Sequence, residues 1–280
     1  MRYPHLLAAL RSSKWAIQSH TLEAIRDVMT SRLVRGPDRG GETTIVATNP
    51  RRISASPGAA PQSSVPGYAV VRFHGICAKR ISEMEADCGG VSLETLQRDL
   101  TAAMASSRVG GIILHLDSPG GVVTGIPELR ARIQEWSKQK PIYAFTDNCC
   151  ASAAYWLATG CTAIFATPTA DVGSIGVYML AIDDSEAWAE EGYKMHLIKA
   201  GDRKAEGCRG IPIAPETLAI WQQEVDELYL MFTSAVTDAR PAVEVSSMQG
   251  QCFMGEAALK AGLIDDIVMD LDDLVAKLAV

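Results

Sequence analysis

Apolar residues recur along this chain with two different periods. Between residues 20 and 33 they fall at Leu22, Ile25, Val28, Met29 and Leu33, the spacing of one helix face, which predicts a short amphipathic helix with Trp15 and Ile17 packed beside it. Residues 36–67 break the pattern. GPDRGGETTIVATNPRRISASPGAAPQSSVPG is dense in Gly, Pro and Ser and reads as a flexible linker that cannot bury enough surface to order itself. Beyond it, short apolar runs alternate with helical spacing. Strands are expected at residues 68–74 (YAVVRFH), 111–116 (GIILHL), 141–146 (PIYAFT) and 163–167 (AIFAT), with helices at 93–104, 124–139 and 152–159. Residues 195–198 also look strand-like. Further helices are expected at 215–240, 255–261 and 271–278. Such alternation implies an α/β fold of repeated βαβ units, with a mostly parallel sheet, helices on its faces and a C-terminal helical segment. The expected organisation is an N-terminal arm over 1–35, a linker over 36–67 and one folded domain over 68–280.

Composition agrees and narrows the classes. A chain of 280 residues, 48% hydrophobic and 21% charged, is long enough for a substantial core and close to the globular average, which excludes wholesale disorder and a polytopic membrane protein. The net charge of −7 divides unevenly: residues 1–67 carry 9 Lys+Arg against 4 Asp+Glu (+5), and residues 68–280 carry 17 against 29 (−12). A body that acidic repels a phosphate backbone, so nucleic acid is not an expected partner. Seven cysteines are an odd number and include no CxxC pair, so neither a disulfide framework nor a metal site is expected, and a reducing cytoplasm is the simplest compartment. The apolar run at Leu6–Leu10 is too short for a signal-peptide core, and no stretch is long enough for a membrane span.

Three segments carry chemistry. Asp117-Ser118-Pro119-Gly120-Gly121 follows the buried strand GIILHL; two glycines at the carboxyl end of a parallel strand let backbone N–H groups turn toward a developing negative charge. Asn148-Cys149-Cys150-Ala151-Ser152-Ala153-Ala154-Tyr155 follows PIYAFT and sets a serine at a strand-to-helix junction. Alone, such a serine is most often an N-cap. Ala200-Gly201-Asp202-Arg203-Lys204-Ala205-Glu206-Gly207 holds a lysine that, alone, is most often solvated surface.

Together, SPGG, ASAAY, TADVGSIGV and AGDRKAEG, with GEAALKAGLIDDI from Gly255 similar to the family's closing helix and strand, resemble the signal peptide peptidase A family of serine proteases, which shares the fold of Clp protease and crotonase. The resemblance runs from about residue 68 to the C-terminus. It implies Ser152 as nucleophile and Lys204, 52 residues on, as general base. Ser174, 22 residues beyond Ser152, would orient the lysine. The N–H groups of Gly121 and Ala153 would form the oxyanion hole, with Gly120 shaping the turn. No cofactor is needed. A lysine serves as base only when neutral, a state that burial against apolar walls favours; this fits the family habit of forming homo-oligomers in which neighbours close the sites. The sequence departs from many bacterial members at Ala153-Ala154, at Cys150, which would narrow the pocket, and at Asp117, whose charge would tune the site. MRYPHLLAALRSSKWAIQSHTLEAI stands where the cellular enzymes have a membrane anchor and resembles the leader of phage head-maturation proteases of the protein C type. That implies polypeptide substrates such as scaffold and portal proteins, in the host cytoplasm or an assembling procapsid.

Other readings are a soluble signal-peptide-peptidase-like protease that degrades peptides and a non-catalytic capsid assembly protein with the same fold. A Ser-His-Asp triad would need His196, which the pattern places inside the strand-like run 195–198; His115 reads as core. A crotonase-type hydratase gives the Ser152/Lys204 spacing no role. Asp183, Asp184, Glu186, Glu190 and Glu191 read as a solvated helix face, and Leu218, Trp221, Val225, Leu228 and Phe232 as a packing stripe, part of it toward a neighbouring subunit.

Overall fold

The computed structural model describes residues 15–17, 67–82, 85–86 and 89–279. The expected helix at 20–33 and nearly all of the expected linker lie outside the described residues. Five strands form a wholly parallel sheet: β2 (Gly67–His74), β5 (Val109–Asp117), β7 (Ile142–Thr146), β9 (Ala163–Ala166) and β12 (Asp266–Ile267), in the spatial order β12-β9-β7-β5-β2. The run GIILHL is buried throughout, as expected of a strand with both faces covered. Helices α1 (Leu93–Ala105), α2 (Ile126–Ser137) and α3 (Ala153–Ala158) pack with the main core, which takes Phe73, Leu114 and Leu116 from the sheet. The opposite face carries a smaller core of Ile113, Phe145, Phe165 and Val268, capped by Leu274 of α7 (Leu271–Leu278). The α/β reading therefore holds.

Short strands leave the main sheet after its long ones. β3 (Ile76–Ala78) and β4 (Gly90–Ser92) follow β2, β6 (Gly120–Val122) follows β5, β8 (Cys149–Ala151) follows β7, and β10 (Asp171–Gly173) follows β9. β8 and β10 run parallel and join the antiparallel β11 (Cys252–Met254) in a three-stranded sheet. β3, β4 and β6 form another sheet, completed by the N-terminal strand β1 (Trp15–Ile17). Trp15 and Ile17 lie in a strand, because the outer edge of β6 offers backbone partners that a three-residue run can use, while the helix beside which they were expected lies outside the described residues.

The long helix α5 (Pro215–Ala239) is joined to this body near its C-terminal end. Phe232 stacks flat on Trp156 with ring centroids 4.4 Å apart, and both rings are buried. Its expected packing stripe divides: Phe232 is core, whereas Leu218 near the N-terminal end is exposed. α4 (Ser185–Glu190) and the turns around it form an arm between β10 and α5. Residues 195–198 are not a strand. No ladder partner takes them up among the described residues, and Met195, Leu197 and Ile198 are exposed, Ile198 at 96%. α6 (Gly255–Lys260) leads back to the sheet edge.

Candidate active site

The chemistry-bearing residues gather where the long parallel strands end and the short ones begin. After β5, the Ser118 N–H donates to the Cys149 carbonyl at 2.8 Å and the Ala151 N–H donates to the Ser118 carbonyl at 3.1 Å. These bonds stitch the SPGG turn to the strand that delivers Ser152. The buried Ser118 hydroxyl accepts from the Gly120 N–H at 3.2 Å and holds the turn closed. Gly120 has φ 104°, a conformation glycine adopts freely. Gly121 is needed for a different reason: a Cβ there would lie 1.9 Å from the Cys77 carbonyl oxygen.

Ser152 precedes α3 in the N-cap position, yet its side chain caps nothing. Its backbone sits at φ 56°, ψ −118°, a strained conformation for a residue with a Cβ, and its N–H donates to the Gly173 carbonyl at 2.7 Å. The residue is 1% exposed, and its Oγ has no hydrogen-bond partner. A buried, unsatisfied hydroxyl on a strained turn costs stability that packing alone does not require. Ser174 is its structural neighbour. Ala151 and Gly173 are paired in the parallel ladder of β8 and β10, so Ser152 and Ser174 each follow a registered residue. Ser174 is also buried and in the left-handed region, at φ 51°. The first-turn N–H of Ala153 has no intrahelical partner by construction, and α3 packs against β6. Ser152, Ser174, Ala153 and the Gly120–Gly121 turn are thus held on adjoining elements.

Lys204 is not brought to them. It sits exposed in the turn of residues 201–207, its N–H bonded to the Gly201 carbonyl at 3.1 Å. Within one chain the Ser152 hydroxyl is left without a base. His196 is exposed on the same arm, which leaves the triad reading without a partner as well. His115 is buried as expected, with Nε2 2.9 Å from Asp147 Oδ1.

The adjacent cysteines do not compete as nucleophiles. Burial pushes the Cys149 thiol up to about 12 and the Cys150 thiol well above its usual range, so both keep their protons at neutral pH. Cys150 was expected to narrow a pocket, but its side chain is packed into the main core. Asp117 accepts from Asn148 Nδ2 at 2.8 Å. It therefore ties the loop before Ser152 to the end of β5, a role that two polar residues just past neighbouring strand ends already suggest. Among the described residues no cluster of His, Cys, Asp or Glu is arranged to hold a metal, and no helix is long and apolar enough to cross a membrane.

Asp183 and Asp184, expected on a solvated face, also fasten the arm that carries Lys204, and Asp183 is exposed as expected. Asp183 accepts from the Ser185 hydroxyl and from the Ile213 N–H at 2.8 Å; Asp184 accepts from the Gly210 N–H at 2.7 Å and from Arg209 and Trp188. The Ser185 hydroxyl lowers the Asp183 carboxyl below its ordinary 3.8, and the Gly210 N–H does the same for Asp184. The anchoring is therefore fully present above 3.8 and is lost as pH falls through the lowered values. Protection of the Gly210 and Ile213 amides, relative to their intrinsic exchange at each pH, should be high at neutral pH and fall only in strong acid. Fast exchange at neutral pH would show that the carboxylates do not hold the arm.

Comparison with known proteins gives this site a context. Over 222 residues the chain is 30% identical to the head-tail preconnector protein GP5 of Enterobacteria phage P21, covering 77% of this chain and 43% of that protein. It is 28% identical over 209 residues to the capsid assembly protease C of Escherichia phage lambda, covering 74% and 47%. The chain thus spans less than half the length of either phage protein. Among solved structures it is similar to a ClpP1 mutant from Listeria monocytogenes, with TM-score 0.44 and 14% identity over 73% of this chain and 94% of that one. A family model described as peptidase family S49 matches residues 134–280, more than half of the chain and a span that takes in Ser152, Ser174 and Lys204. On that match the chain belongs to peptidase family S49.

Proposed function

We propose that the chain is a serine endopeptidase with a Ser152/Lys204 dyad, acting through an acyl-enzyme on scaffold and portal polypeptides during phage capsid maturation. The observation that carries the reading is the state of Ser152: strained, buried, hydrogen-bonded to nothing, and beside a glycine turn and a second buried serine. Ser152 Oγ attacks the peptide carbonyl while Lys204 Nζ, neutral in the assembled site, takes its proton. The N–H groups of Gly121 and Ala153 receive the oxyanion. The C–N bond then breaks, the proton passes to the leaving amine, and an ester to Ser152 remains. Water, activated by the same amine, attacks the ester and regenerates the hydroxyl. Ser174 orients the lysine amine. The exposed arm suits a homo-oligomer in which Lys204 reaches Ser152 of a neighbouring copy, and the sequence similarity to phage capsid proteins favours the host cytoplasm or procapsid as the place of action.

The test is covalent. A fluorophosphonate should label the wild-type oligomer at Ser152, and labelling should vanish in Ser152→Ala. Absence of labelling in every oligomeric state would overturn the reading in favour of a non-catalytic assembly protein.

A further inference from the structure

The outer edge of the glycine strand is already taken. β1 lies antiparallel on β6 with Trp15 opposite Val122, Ala16 opposite Gly121 and Ile17 opposite Gly120, and the sheet order β1-β6-β3-β4 makes β1 the edge strand. Without β1, β6 would itself be the edge. Its main-chain groups would then be open to pair with an extended peptide, the mode by which a strand edge captures a polypeptide irrespective of side chain. On the proposed reading of Gly121, a polypeptide whose carbonyl meets its N–H pairs along this same strand, where β1 already lies.

We infer that residues 15–17 are a built-in pseudosubstrate: the chain's own N-terminal strand occupies the peptide-binding edge beside Ser152 and must leave before another polypeptide can pair there. The inference rests on the proposed reading of Gly121 as part of the acyl-transfer site. Its register sets Ala16 opposite Gly121. Being part of the same chain, the strap competes as an intramolecular ligand, at an effective concentration that a free peptide must exceed. Charge works in the same direction: residues 1–67 carry +5 and residues 68–280 carry −12, an attraction that salt weakens. A strap of only three paired residues can be displaced, which distinguishes a regulatory contact from a permanent strand.

The test uses the full chain with Ala16→Pro and Ile17→Pro together, because proline removes the ladder N–H whichever of the two residues supplies it. The expected result is faster amide exchange at whichever of Gly121 and Val122 turns its N–H toward β1, since adjacent residues face opposite edges, and fluorophosphonate labelling of Ser152 accelerated roughly tenfold, the factor for an edge occupied about nine-tenths of the time. Raised salt should accelerate labelling of the wild type but not of the double variant. A synthetic peptide of residues 11–23 should restore the slow exchange when added to the double variant carrying Ser152→Ala, and the same peptide with both prolines should not. Unchanged exchange and labelling in the double variant, or a peptide that protects nothing, would overturn the strap. If Ser152 is labelled in no variant, the dyad reading fails, while exchange and peptide protection still decide the strap because neither needs chemistry at Ser152.

Discussion

Ser152→Ala chains and Lys204→Ala chains should each be inactive alone and should recover peptide hydrolysis when mixed. Each substitution removes a group that acts only in concert with the other, so each should lower kcat by roughly 10⁴-fold or more. Lys204 is exposed, and Ser152 Oγ is unpartnered, in the isolated chain. If the lysine is supplied by a neighbour, a random mixture places an intact Ser152 against an intact Lys204 in about a quarter of its sites, since each site draws on two different chains. If the lysine acts on its own chain's serine, every site in the mixture carries one defect and nothing is recovered. Recovery toward a quarter of wild-type activity, measured on a fluorogenic peptide after co-expression or joint refolding, is the expected outcome. Activity at the background of either variant alone would return the lysine to its own chain.

The exposed apolar side chains on and beside the arm agree with a shared site. Ile182, Met195, Leu197 and Ile198 are 53%, 46%, 42% and 96% exposed, a concentration that isolated soluble domains seldom present. The strand-like, apolar character of residues 195–198 was legible in the sequence, but its meaning was not. Such character reports that a segment is covered, without saying whether the cover comes from the same chain. The parallel strands were legible for the opposite reason: a run such as GIILHL has both faces buried within the chain, so its pattern has one explanation.

The candidate site was legible as spacing and partly illegible as geometry. The positions of Ser152 and Ser174 follow from strands that end in register, which the expected strands at 141–146 and 163–167 only hint at, because β8 and β10 are short extensions beyond them. The strap was missed for a related reason. Trp15-Ala16-Ile17 is too short to declare a period, and its strand character comes from an edge about a hundred residues away in sequence. Asp183 is exposed, as its polar segment suggests, but the hydrogen bonds of Asp183 and Asp184 run to Ile213 and Gly210, across a loop that local pattern does not foresee.

Gly121→Ala should cost both catalysis and stability, through one contact. An added Cβ would meet the Cys77 carbonyl oxygen at 1.9 Å and the Cys77 carbonyl carbon at 2.7 Å. Those atoms belong to backbone of β3, in a residue that is fully buried, so no flexible side chain can move aside. Either β3 or β6 must shift, and a β6 shift carries the Gly121 N–H away from where it would face the oxyanion. Loss of one such donor lowers kcat by roughly 10²- to 10³-fold, and overpacking a close backbone approach destabilises by about 1–3 kcal/mol. Gly67→Ala is the matched control, because a Cβ there meets nothing within 4 Å among the described residues. It should stay within about 0.5 kcal/mol of wild type in urea unfolding. Full kcat in a destabilised Gly121→Ala chain would show that the glycine serves the close approach of two strands alone, and would remove its N–H from the proposed mechanism.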